Sequence, residues 1–246
     1  IELLSTQISA NQVTLTADRI TNRTLVTRHS FDYDNSVTYS TQLGDITVKE
    51  FGYGYHDTAS QLGFIESFGD ITITAREDFL NQGASLNAQG TITIEAGNSI
   101  AIVAQPVENY TYHENRYWSD KYESIQQIQS QLSATDITLL ANNSILLEAA
   151  NLEAAGTIQL LAGQGIHLVE SLNSISTEEK FEYKSGGLFG SEENESLETS
   201  QSTLLRTVLN AGKTIVIRSK SGNIVLRGVK LDSEGQAAIV ADNGFV

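Results

Sequence analysis

Leu86-Asn-Ala-Gln-Gly-Thr-Ile-Thr-Ile-Glu-Ala-Gly-Asn-Ser-Ile-Ala-Ile102 is the stretch from which the rest of the chain can be read. It aligns without a gap on Leu152-Glu-Ala-Ala-Gly-Thr-Ile-Gln-Leu-Leu-Ala-Gly-Gln-Gly-Ile-His-Leu168, at a constant offset of 66 residues. Leu86, Ala88, Ile92, Ile94, Ala96, Ile100 and Ile102 fall on Leu152, Ala154, Ile158, Leu160, Ala162, Ile166 and Leu168. Every one of these positions is apolar. Within each run the apolar residues alternate with polar ones, which places them on one face of a strand. Between runs stand Gln89-Gly90, Gly97-Asn98 and Gly163-Gln164, residue types that tolerate the backbone of a tight corner.

A shorter period runs inside the longer one. Ile137, Leu139, Ala141, Ile145 and Leu147 lie 21 residues before Ile158, Leu160, Ala162, Ile166 and Leu168. Ile65, Ile71, Ile73, Ala75 and Phe79 stand at the same offset from the first stretch. The pattern returns at Leu209, Ala211, Ile215 and Ile217, at Leu231, Ala237, Ile239, Ala241 and Phe245, and at the amino end from Ile8 to Ile20. Three short runs per period, with a corner after each, describe one turn of a solenoid. Such a coil cannot bury its inward side chains alone, so coils must stack. The expected fold is all-β: a right-handed parallel β-helix with three sides, of about eight coils spanning roughly 40 Å. An antiparallel sandwich also alternates, but it does not require the register to return at a fixed interval.

The whole of 1–246 reads as a single repeat segment of a longer protein, interrupted by inserts at about 22–43, 104–131 and 170–206. The second and third leave from the same corner. The stretch from Lys49 to Phe64 fits no position in the repeat. In the third insert, Lys184-Ser-Gly-Gly-Leu-Phe-Gly190 is a glycine-rich reversal between polar alternating arms. It is read as a long β-hairpin, with a Ser/Glu-rich unstructured loop as the rival. Ser119 to Leu132 also has helical spacing, through Ile125, Ile128 and Leu132.

Composition narrows the function. The formal net charge of -15 disfavours phosphate neutralisation, so nucleic acid is not an expected partner. Cysteine and methionine are absent, and the missing initiator implies a start inside a larger precursor. No apolar run approaches a membrane span. His29, His56, His113 and His167 form no metal-ligand spacing, and no phosphate-binding glycine loop occurs. The outward positions Thr91, Thr93, Glu95, Thr157, Gln159 and Leu161 present no acidic cluster of the kind a glycan-cleaving β-helix needs. No catalytic residue, cofactor or metal site is expected.

The inserts differ from the Thr/Asn-rich rod by their rings. Tyr110, Tyr112, Tyr117, Trp118 and Tyr122 in the second, and Phe181, Tyr183 and Phe189 in the third, are the candidate contact surface. The competing reading lays these rings over the flank of the rod, where outward Leu140 and Leu161 stack and would need a cover.

Ile8-Ser-Ala-Asn-Gln-Val-Thr-Leu-Thr-Ala17, Gly69-Asp-Ile-Thr-Ile-Thr-Ala75, Gly90-Thr-Ile-Thr-Ile-Glu-Ala-Gly97 and the insert Tyr183-Lys-Ser-Gly-Gly-Leu-Phe-Gly190 resemble the repeats of filamentous haemagglutinin-like exoproteins. These include the large effectors of contact-dependent growth inhibition. The resemblance implies a secreted protein of the bacterial cell surface, exported by two-partner secretion through an outer-membrane β-barrel transporter. It implies either a filament segment that helps deliver a carboxy-terminal toxin across a target cell's outer membrane, or an adhesin stalk that binds host or bacterial ligands.

Overall fold

The computed structural model describes residues 1–184 and 192–246, with only the backbone at 183, 184, 192 and 193. The reversal expected around 184–190, and with it Phe189, lies outside the described residues.

Three parallel sheets of seven strands each form a three-sided solenoid. Sheet I contains Glu2–Leu4, Ile20–Arg23, Phe79–Gln82, Ile100–Val103, Ile145–Glu148, Ile166–Val169 and Ile224–Leu226. Sheet II contains Gln7–Ala10, Phe64–Ser67, Ser85–Ala88, Gln131–Ala134, Asn151–Ala154, Thr207–Ala211 and Val229–Ser233. Sheet III contains Val13–Ala17, Ile71–Ala75, Thr91–Ala96, Asp136–Ala141, Thr157–Ala162, Thr214–Ser219 and Gln236–Ala241. The chain visits I, II and III in turn, and each circuit adds one strand to every sheet.

The repeat sets the register. Ile92 pairs with Ile71 on one side and Ile137 on the other, and Ile137 pairs with Ile158. Ile92, Ile94, Ile158 and Leu160 are wholly buried, while Thr91, Thr93, Thr157 and Gln159 face outward and are partly exposed. Burying each large side chain stabilises the stack by roughly 1.5–3 kcal/mol. His167 points outward, as its place on the strand requires.

Corners between sheets II and III are tied by carboxylates. Asp70 accepts from the Thr91 backbone N–H at 2.7 Å and from the Thr91 hydroxyl at 3.0 Å, one coil on. Asp136 accepts from the Thr157 N–H at 2.6 Å in the same way. The backbone N–H of Thr91, followed by its hydroxyl, holds the Asp70 carboxyl below the usual carboxylate range.

The corner from sheet I to sheet II takes two forms, which alternate. In the odd coils the first corner position is left-handed: Ser5 (φ 46°), Gly83 (57°), Ala149 (46°) and Gly228 (61°). That backbone turns the chain straight into sheet II. In the even coils the equivalent residues are Thr24, Ala104 and Glu170, none of which has positive φ. There the chain runs on outward as a hairpin.

Three expectations are corrected here. The first insert does not end near residue 43. It is a hairpin of Val26–Thr41 and Gly44–Ala59, so the unassigned stretch from Lys49 is its returning arm. Apolar residues such as Ile46 and Val48 imitate a rod strand because a hairpin arm alternates with the same period. With that stretch assigned, the coils number seven among the described residues, not eight. Ser119 to Leu132 is not helical: Trp118–Ile128 is a strand paired along both edges, and those ladders decide the structure where local spacing is ambiguous.

Candidate functional site: the hairpin fin

The second hairpin is Gln105–Asn115 with Trp118–Ile128, and the third is Ser171–Lys184 with Glu192–Leu205. The three hairpins join edge to edge in chain order into one six-stranded antiparallel sheet. Its inter-hairpin ladders run between Gly44–Ala59 and Gln105–Asn115, and between Trp118–Ile128 and Ser171–Lys184. The spacing permits this join. A hairpin contributes two strands and leaves from every second coil, so both sheets advance by about 4.8 Å per strand. Among the described residues no fin strand is packed along a rod strand. The sheet therefore stands out from one corner of the solenoid as a single-layered fin.

Buried hydroxyls close the base of the fin. At re-entry into sheet II stand Ser130 in the second hairpin, just before the strand, and Thr207 in the third, its first residue. Ser130 donates to the Val103 carbonyl at 2.7 Å, and Thr207 to the Val169 carbonyl at 2.6 Å. Both are fully buried. In the first hairpin Thr24 donates to the Gly83 carbonyl at 2.5 Å and accepts from the Gly63 N–H at 3.2 Å.

One face of the fin carries a cluster of five rings. Phe51, Tyr53 and Tyr55 alternate with Gly52 and Gly54, and register sets Tyr55 opposite Tyr110 and Tyr53 opposite Tyr112. Ring centroids lie 5.3 Å apart for Tyr53–Tyr112, 5.9 Å for Tyr53–Tyr110, 6.0 Å for Tyr55–Tyr110 and 6.3 Å for Phe51–Tyr112. These are favourable separations for tilted and stacked rings. Tyr53 remains 47% and Phe51 42% exposed.

Polar groups rim the cluster. The Arg28 guanidinium sits 3.8 Å from the Tyr55 ring centroid, binds both Asp57 oxygens at 2.8 and 2.9 Å, and reaches Glu108 at 2.8 Å. Those partners raise the Arg28 pKa, and Arg28 in turn lowers that of the Asp57 carboxyl. The Tyr110 hydroxyl, hydrogen-bonded to Tyr53 and partly desolvated, is pushed up to about 12. Tyr112 donates to Glu114 at 2.6 Å, which raises its pKa also. These phenols act as neutral donors and apolar surface.

The glycines serve the other face. There the Tyr33 and His113 rings close over Gly52, where a Cβ would come within 2.7 Å of both. At Gly54 a Cβ would strike the Tyr110 carbonyl oxygen. His113 Nδ1 lies 3.2 Å from both Asp120 oxygens, and His29 and His56 stack with centroids 5.2 Å apart.

The eight candidate residues do not form one surface. Tyr110 and Tyr112 belong to the five-ring cluster. Strand alternation puts Trp118, Tyr122 and Phe181 on the opposite face, with Trp118 opposite Phe181. Tyr117 lies in the tip turn, where Asn115 accepts from the Tyr117 and Trp118 N–H groups at 2.8 and 3.1 Å. With Tyr39, Ile46 and Val48, Trp118 lines a small apolar cleft near that tip. Tyr183 lies on a strand of which only the backbone is described there, and Phe189 is outside the described residues. Sequence reading missed Phe51, Tyr53, Tyr55 and Arg28. The signal was present in the alternation Phe51-Gly-Tyr-Gly-Tyr55, inside the stretch that the repeat could not place. Nor do the rings cover the rod: Leu140 is left 39% exposed beside Leu161, in an open trough on sheet III next to Arg218. Arg218 itself is held by Asp242.

A parallel solenoid with a hairpin at every second coil is a repeat protein whose surface is built by its inserts. The chain belongs to the hemagglutinin repeat family, whose profile matches residues 4–119 and 188–246. A hemolysin of Proteus mirabilis is 28% identical to it over 252 residues, covering 96% of this chain. The chain spans only 15% of that relative's length. No solved structure matches it.

Proposed function

We propose that the chain is a non-catalytic segment of a large secreted surface filament, exported through an outer-membrane β-barrel transporter, and that its fin contacts the surface of a target cell during toxin delivery. The rod supplies reach and the fin supplies contact. The observation that carries this reading is the five-ring cluster on an uncovered, single-layered sheet. Rings held by cross-strand packing present rigid contact area at low entropic cost, the property that makes aromatic residues dominate interfaces. The hemolysin relative fits a parent that acts on cells.

The test uses the full-length parent with Tyr53, Tyr110 and Tyr112 all changed to Ser. Surface display, cell binding and toxin delivery are measured separately. Delivery is expected to fall with display unchanged. Loss of binding alone, in a parent that carries no toxin, assigns the same face to adhesion. Normal binding and delivery in a displayed, folded variant overturns a contact role for the cluster.

A further inference from the structure

We propose that the outer edge of the Glu192–Leu205 strand is the docking surface for one more hairpin of the same polypeptide, supplied from the next even corner of the rod, so that the fin is a continuous sheet in the parent protein. The first support is geometric. Hairpins leave after the second, fourth and sixth strands of sheet I. The seventh, Ile224–Leu226, turns directly through left-handed Gly228. The Phe245 carbonyl then accepts from the Ile224 N–H at 2.9 Å, as the Asn223 carbonyl does from Ile166 at 3.0 Å one coil earlier. That bond places the chain at the start of an eighth sheet I strand, after which the alternation calls for a hairpin.

The second support is continuity with the ladders already formed. The returning arm of each earlier hairpin pairs with the outgoing arm of the next: Asn109 faces His56, and Ser124 faces Ile175. Glu192–Leu205 is the third returning arm, and it is a fin edge. A long sheet edge presents unpaired backbone groups, which natural proteins pair or cover. Chain to supply the pair is to be expected, since this segment spans 15% of its hemolysin relative.

The third support is charge. Lys121, Glu178 and Glu198 stand opposite one another in a single row across three strands. Directly opposed carboxylates are unfavourable in a sheet. Glu178 is already bound to Lys180 at 2.6 Å. A Lys or Arg on the incoming strand, opposite Glu198, completes an alternating row. A second copy of this chain docking through the same strand brings no cation to that row, because Glu192–Leu205 holds four glutamates and no Lys or Arg.

The test is hydrogen exchange on the intact parent and on a variant whose hairpin at that corner is replaced by a Gly-Ser turn. Peptides from Glu192–Leu205 are expected to exchange about tenfold faster in the variant, with rod peptides unchanged. Equal exchange in the two chains overturns the proposal, as does a parent that turns that corner without a hairpin. Should the variant fail to fold, Glu198→Cys is paired with a cysteine at the facing residue of the incoming strand in the intact parent. A disulfide formed in the folded chain supports the docking, and its absence under oxidising conditions overturns it.

Discussion

Rod and fin are built from strands of the same spacing, yet Ile94 in the rod is wholly buried while Tyr53 in the fin is 47% exposed. A rod strand has a neighbour above, a neighbour below and a shared interior. A fin strand has only its two edges, and its rings pack sideways across the ladder. Stability in the rod therefore comes from area removed from water, whereas in the fin it comes from the ladder, the ring contacts and ion pairs such as Arg28 with Asp57. Surface that is half exposed on an ordered sheet is surface that remains free to contact something else.

The sharpest way to break this contrast is to truncate one side chain in each region. Ile94→Ala is expected to lower unfolding stability by about 2–5 kcal/mol in urea denaturation, because a closely packed stack relaxes little around a cavity. Tyr53→Ala should leave rod unfolding within about 0.5 kcal/mol of the unsubstituted chain. Equal losses from the two would show that the fin is part of the rod's cooperative unit.

A smaller effect belongs to the seam between them. Thr207→Val keeps the shape and removes the hydroxyl that reaches the Val169 carbonyl. The cost is expected to be about 1–3 kcal/mol in the same assay, since a buried acceptor loses its donor. Hydrogen exchange should quicken first at the base of the third hairpin. An unchanged midpoint would assign the closure of that corner to the backbone alone.

Ala149→Gly works in the opposite direction. An alanine at φ 46° carries left-handed strain, and glycine relieves it. Part of that gain is offset by the freer unfolded chain, so a rise of about 1 kcal/mol or less in unfolding stability is expected. A decrease would mean that the methyl group, wholly buried at this corner, contributes more through packing than it costs in strain.

The Asp70→Asn variant probes the corner carboxylates by pH. Asp70 has a depressed folded-state pKa, so its stabilisation is present above the unfolded value of about 3.9 and is lost as pH falls through the folded value. Melting temperatures of Asp70→Asn and the unsubstituted chain should differ most near neutrality and converge in acid. A constant difference down to about pH 2 would remove Asp70 from the acid response.

These regions were not equally legible. The rod could be read because a shared interior forces the same side of every strand to be apolar, as Ile71, Ile92, Ile137 and Ile158 show. Each coil repeats the constraint of the one before it. The fin imposes no such repetition. Its arms pair with arms far away in sequence, Tyr112 with Tyr53 for instance, and neither face has to be apolar throughout. The exposed rings of the second insert could be named from composition, but their division between two faces depends on register, which no local pattern carried. The first hairpin was hardest because Ile46 and Val48 have the spacing of a rod strand. The switch between corner types was equally hidden, since Ser5 and Ala149 adopt a backbone usually left to glycine.

The alternation of corners also constrains how such a molecule can change length over generations. Loss of a single coil leaves the remaining rod sound, because every coil presents the same faces to its neighbours. It would, however, set neighbouring hairpins one strand spacing apart if a plain coil is lost, or three apart if a hairpin-bearing coil is lost, where two strands must fit, and the fin could not close. Gain or loss of two coils with their hairpin preserves both sheets. The 66-residue offset between Leu86 and Leu152 has the size of that unit. For this architecture the heritable module is the pair of coils, and the coil alone is only half of it.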